Sequence, residues 1–73
     1  MSEKGNIKST KNTREWLKLK RQKANLSQKQ ISKMANISQS HYSGIEAGKE
    51  NPSIPVAKRI SEILGFNWVL FFD

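Results

Sequence analysis

Gln39, Ser40, Ser43 and Gly44 fall on one side of a helix whose other side carries Tyr42 and Ile45, with Ala47 extending the polar side. Side chains of this kind can hydrogen-bond the edges of nucleic-acid bases. A glutamine amide matches adenine N6 and N7 in a bidentate pair, which makes Gln39 the first candidate for a base-reading residue. Ser40 and Ser43 can donate to or accept from any base. Gly44 lets a helix come close to a partner, at a cost of roughly 0.5–1 kcal/mol relative to Ala. His41 lies beside this side, within reach of a phosphate. As the single histidine of a chain without cysteine it offers no metal set, and it is expected to be exposed with no partner.

A helix that reads DNA must be held at an angle by a second one. Ser27 and Ser38 each precede a run of helical periodicity, and each follows an apolar residue, Leu26 or Ile37. With Ile31 and Tyr42 four positions into those runs, both starts form hydrophobic staples, as does Phe66-Asn67 with Phe71. Gln30 completes a capping box with Ser27. These signals predict helices over residues 28–35 and 39–47, the first burying Ile31, Met34 and Ala35. The connection is short enough to force a steep crossing, with Asn36 able to take the left-handed conformation. An earlier helix over residues 13–24 has Thr13 as its cap, Leu17 and Ala24 on its inward face and Asn25 as its stop. Ser53 caps a fourth, with Pro55 in its first turn and a stripe of Val56, Ala57, Ile60, Ile63 and Leu64 ended by Gly65. A fifth spans residues 68–72. The expectation is an all-α domain over residues 13–73, with residues 1–12 a flexible basic arm.

The charge sharpens the function classes. The 73 residues carry a formal net charge of +7, and residues 1–23 hold eight basic side chains against two acidic ones. Such a field attracts polyanions. The first twenty residues lack the apolar core of a signal peptide, and the apolar run Trp68-Val69-Leu70-Phe71-Phe72 is too short to span a bilayer, so a cytoplasmic location and no membrane partner are expected. One histidine, no glycine-rich phosphate loop and no spaced carboxylate pair argue against an enzyme, and no cofactor, metal or small-molecule ligand is implied. Helix N-termini favour anions, so Ser27 and Gln28 are candidate phosphate contacts, with Arg14 and the lysines before it as arm contacts.

Leu26-Ser27-Gln28, Ile31, Ala35, Ile37-Ser38, Ile45-Glu46-Ala47-Gly48-Lys49, Asn51-Pro52-Ser53, Ile60, Leu64-Gly65 and Trp68 together resemble the Cro/repressor-type helix-turn-helix family, also called Xre. The resemblance covers residues 26–68 without a gap, and Arg21 extends it into the first helix. It implies a compact five-helix, lambda-repressor-like domain that binds double-stranded DNA in the major groove, usually as a homodimer, and a transcriptional regulator, in particular a repressor of phage or mobile-element type. It implies phosphate contacts from Lys49 and Asn51 and a structural salt bridge between Arg21 and Glu46. Members often dimerise through the C-terminal region, here Trp68, Leu70, Phe71 and Phe72, which form too large an apolar group for one helical turn to bury. The chain departs from the family where Ser43 and Gly44 replace the long side chains many members carry, and where Ala47 replaces a common Asn. That bare face favours a second reading, an antitoxin or protein-interaction adaptor on the same fold.

Overall fold

A computed structural model describes residues 13–72; the basic arm expected over residues 1–12 lies outside the described residues, as does Asp73. Four α-helices follow one another, α1 (Glu15–Lys23), α2 (Gln28–Met34), α3 (Gln39–Glu46) and α4 (Ile54–Leu64), and a 3₁₀ helix (Trp68–Phe72) closes the described chain. The fold is all-helical, with a helix-turn-helix formed by α2 and α3. The expected fifth α-helix is instead the 3₁₀ turn. Its Leu70 N–H reaches the Asn67 carbonyl three residues back at 3.0 Å, and the Asn67 side chain accepts from Val69 N–H at 3.1 Å. Both bonds hold the segment in the tighter winding that short terminal pieces favour.

All four helices stop in the same way. A residue with positive φ follows the last turn: Asn25 (60°), Asn36 (62°), Gly48 (79°) and Gly65 (78°). The next N–H then reaches back five residues, from Leu26 to Arg21 (3.2 Å), Ile37 to Ser32 (2.9 Å), Lys49 to Gly44 (2.9 Å) and Phe66 to Ser61 (3.0 Å). This satisfies carbonyls that a helix end would leave unpaired. Three of those returning residues, Leu26, Ile37 and Phe66, also precede the polar residues Ser27, Ser38 and Asn67 that open the next element. One apolar side chain thus closes one element and staples the next. The connections between these elements stay short.

The core gathers Leu17 from α1, Ile31 and Ala35 from α2, Tyr42 and Ile45 from α3, Val56, Ala57 and Ile60 from α4, and Phe71 from the 3₁₀ turn. Three expectations change here. Arg14, not Thr13, occupies the cap position of α1, and it makes no side-chain cap bond. Ala24 is exposed, because α1 ends before it and the chain turns away. Met34 is 55% exposed, and Ser32 is buried in its stead. On a helical wheel the two flank the Ile31–Ala35 direction at equal angles, so periodicity cannot separate them. The buried Ser32 hydroxyl is satisfied within its own helix, donating to the Lys29 carbonyl at 2.9 Å.

Candidate nucleic-acid interface

The helix pair is fixed by its caps. Ser27 Oγ accepts from Gln30 N–H at 3.0 Å while Gln30 Oε1 accepts from Ser27 N–H at 2.8 Å, completing the capping box. Ser38 Oγ accepts from His41 N–H at 3.0 Å and starts α3. Tyr42, Ile45 and Glu46 turn inward, which leaves Gln39 and Ser40 exposed at the first turn, with Ser43 and Gly44 half-buried further along.

Glu46 is the hub that binds α3 to the rest of the domain. Arg21 Nε donates to its Oε2 at 2.5 Å and Arg21 Nη2 to its Oε1 at 3.3 Å. Tyr42 Oη donates to Oε2 at 2.8 Å and Gln28 Nε2 to Oε1 at 3.0 Å. Arg21 Nη1 donates to the Leu26 carbonyl at 2.8 Å, tying the turn before α2 into the same group. One carboxylate therefore joins α1, α2 and α3. Burial is the largest single influence on Glu46 and disfavours its charge, yet the hydrogen bonds from Arg21, Tyr42 and Gln28 and the Arg21 charge outweigh it and hold the carboxyl below its ordinary value. The hydrogen bond to Glu46 raises Arg21, against its own desolvation. Burial, followed by the bond to Glu46, pushes the Tyr42 phenol far above its ordinary range.

This arrangement alters two of the expected phosphate contacts. The Gln28 amide does not face outward: a buried carboxylate needs donors on both oxygens, and Gln28 fills one of those places. Arg14 is likewise a tie within the fold, not part of a free arm. Its Nη1 donates to the carbonyls of Ile45 (2.7 Å) and Glu50 (3.0 Å), its Nη2 to Asn51 Oδ1 (2.6 Å), and its backbone N–H to the Glu46 carbonyl (2.9 Å). The guanidinium also lies 5.7 Å from the centre of the Phe71 ring. Arg14 thereby pins the loop after α3 to the start of α1. Asn51 gives its carbonyl oxygen to that clamp, whereas Ser27 and Lys49 stay exposed.

His41 has a partner, contrary to expectation. Its Nδ1 lies 2.5 Å from Glu50 Oε1, across the turn that follows α3. Nothing local in the sequence marks Glu50, because the contact exists only once Gly48 has folded the loop back over the helix. Arg59 was also silent in the sequence; its Nε donates to the Ala35 carbonyl at 2.8 Å and braces the end of α2 from α4.

At the far end of the domain Phe71 is buried, packing edge-on to Trp16 with ring centres 5.3 Å apart. It is therefore a core residue and is withdrawn from the expected dimer surface. Trp68 is half-buried and stacks edge-on to Phe72, while Val69, Leu70 and Phe72 remain exposed. The packing of Trp16, Phe66 and Phe71 consumes the inward side of the 3₁₀ turn and leaves these three outside. Among the described residues no group of His, Cys, Asp and Glu could hold a metal ion, and no helix is long and apolar enough to cross a membrane.

A packed helix pair joined by a short turn, a buried arginine–glutamate hub and exposed polar residues at the start of the second helix define a helix-turn-helix domain. The family model described as helix-turn-helix matches residues 17–71, and the chain belongs to that family, of the Cro/C1 (Xre) type. It is 42% identical over 60 residues, 82% of its own length and 79% of the relative's, to the uncharacterized HTH-type transcriptional regulator YqaF of Bacillus subtilis (strain 168). No solved structure matches the chain. The family is one of DNA-binding transcription regulators.

Proposed function

We propose that this protein is a sequence-specific transcriptional regulator, a repressor of phage or mobile-element type, that places α3 in the major groove of operator DNA and works in the cytoplasm as a homodimer. One observation carries the reading: the Glu46 hub holds α3 to the rest of the domain while Gln39 and Ser40 stand exposed at its first turn. A rigid helix with an exposed glutamine in its first turn suits direct base readout, with Gln39 pairing to adenine and Ser40 and Ser43 making lesser contacts. Ser27, Lys49 and the free amide nitrogen of Asn51 would meet phosphates, and the lysines before residue 13 would add charge. In a dimer, Leu70 and Phe72, with Trp68 at their edge, would form the shared surface, setting two copies of α3 about 34–36 Å apart.

The test is selection of bound duplexes from random DNA at physiological salt, followed by titration of the winning site. An enriched two-fold motif is expected, with affinity falling steeply as salt rises and with Gln39→Ala losing preference at one adenine position. Sedimentation with and without that duplex checks the dimer. A second reading, an adaptor or antitoxin, is favoured by the short side chains of Ser43 and Gly44 and by the exposed Val69, Leu70 and Phe72. Absence of any enriched motif would select it.

A further inference from the structure

The middle of α3 lacks a long side chain of its own, but the space is not empty. A methyl group placed on Gly44 would stand 2.6 Å from Glu50 Oε2, 2.9 Å from its Cδ and 3.1 Å from its Cγ. The Glu50 side chain therefore lies across α3 where a side chain at position 44 would begin. Its backbone is held on both sides, by Glu50 N–H to the Gly44 carbonyl at 3.1 Å and by Arg14 Nη1 to the Glu50 carbonyl at 3.0 Å. The carboxylate is fixed by His41 through Oε1, and half of the side chain remains open, at 47% exposure. A carboxylate held by His41, on a residue whose backbone is tied on both sides, and lying over a glycine that alone leaves room for it, differs from a solvated surface glutamate.

We infer that Glu50 is a specificity-determining residue for DNA: it supplies from the loop the base-reading group that α3 lacks at Gly44, with its Oε2 accepting a hydrogen bond from the exocyclic amine of a cytosine. The inference rests on the proposed placement of α3 in the major groove. A carboxylate is acceptor-only. In the major groove guanine offers O6 and N7 and thymine O4, all acceptors that repel it. Adenine offers its amine beside its own N7, whereas cytosine offers its N4 amine with no acceptor on its own edge, the neighbouring O6 belonging to the paired guanine. His41 Nδ1, donating to Oε1, leaves Oε2 as the atom to meet the base, and Gly44 is the condition for its reach. His41 is thus a positioning residue.

The experiment is the same duplex selection run in parallel on the full chain, on Glu50→Gln and on Gly44→Ala, with thermal melting of each to confirm folding. The expected wild-type motif holds a cytosine, preferred roughly tenfold, adjacent to the position set by Gln39. Glu50→Gln should exchange that cytosine for adenine, because the amide can both donate and accept, and leave the other positions unchanged. Gly44→Ala, which displaces the carboxylate, should erase the preference at that position only. An unchanged motif in Glu50→Gln, or a wild-type motif without the cytosine, overturns the assignment while the DNA-reading function stands. Failure of the wild-type chain to enrich any motif overturns both.

Discussion

Glu46 and Glu50 stand four residues apart, and each is hydrogen-bonded to a basic side chain at 2.5 Å, Arg21 for the first and His41 for the second. The side chain of Glu46 is only 6% exposed and that of Glu50 is 47% exposed. Out of water, a carboxylate must have its charge and lone pairs met by the fold, so Glu46 has drawn in Arg21, Gln28 and Tyr42 from three helices. On the surface, water can meet those needs, so the pairing with His41 orients Glu50 without binding elements together. The same functional group is a keystone in one setting and an available acceptor in the other, and burial decides which.

The comparison breaks most clearly by removing Glu46. Glu46→Ala leaves Arg21 buried and unpaired, and a loss of about 3–5 kcal/mol is expected from urea denaturation. A chain this small has little stability in reserve, so the variant should be largely unfolded near physiological temperature. An unchanged midpoint would reduce Glu46 to the status of Glu50. Gln28→Ala removes one donor from the same carboxylate and should cost about 1.5–3 kcal/mol, with the charge pair intact.

The pH dependence of stability sharpens the same contrast. Glu46 titrates lower in the folded chain than in the unfolded one. Its contribution is therefore complete above the unfolded carboxyl value and fades as pH falls through the folded value. Tyr42 is raised, so its contribution is complete below its ordinary value of 10.0 and fades as pH rises beyond it. Denaturation followed against pH should show a plateau between these limits, and Glu46→Gln should flatten the acid side. The smallest effect is expected from His41→Ala. It breaks an exposed pair and should change stability by less than about 1 kcal/mol, with the midpoint measured at neutral pH. A loss as large as that of Gln28→Ala would mean that the His41–Glu50 pair also holds the fold.

Much of the helix-turn-helix was legible before folding because its signals are local. Ser27 with Gln30, Ser38, Ser53, Asn36, Gly48 and Gly65 each act within five residues, and their geometry follows from backbone chemistry that a short segment already contains. Structure and local signals part where two local answers are equivalent or where the partner lies far along the chain. Met34 and Ser32 are interchangeable on a wheel, and only the packing of neighbouring helices chose between them. Arg14 read as one more cation of a basic arm, and its role emerged from carbonyls 31 and 36 residues away. The staple with Phe66 already marks Phe71 in the sequence, but only the packing of Trp16 against both rings makes it a core residue instead of a dimer contact.

By itself the sequence determined the starts of α2, α3 and α4, the stops of all four helices, the polar residues of α3 and the basic excess, since capping, periodicity and charge are properties of neighbouring residues. Only the tertiary structure decided which acidic side chain would be buried and which would lie over Gly44. That choice depends on how the loop after α3 returns across the domain, and on the desolvation that only assembled helices can impose.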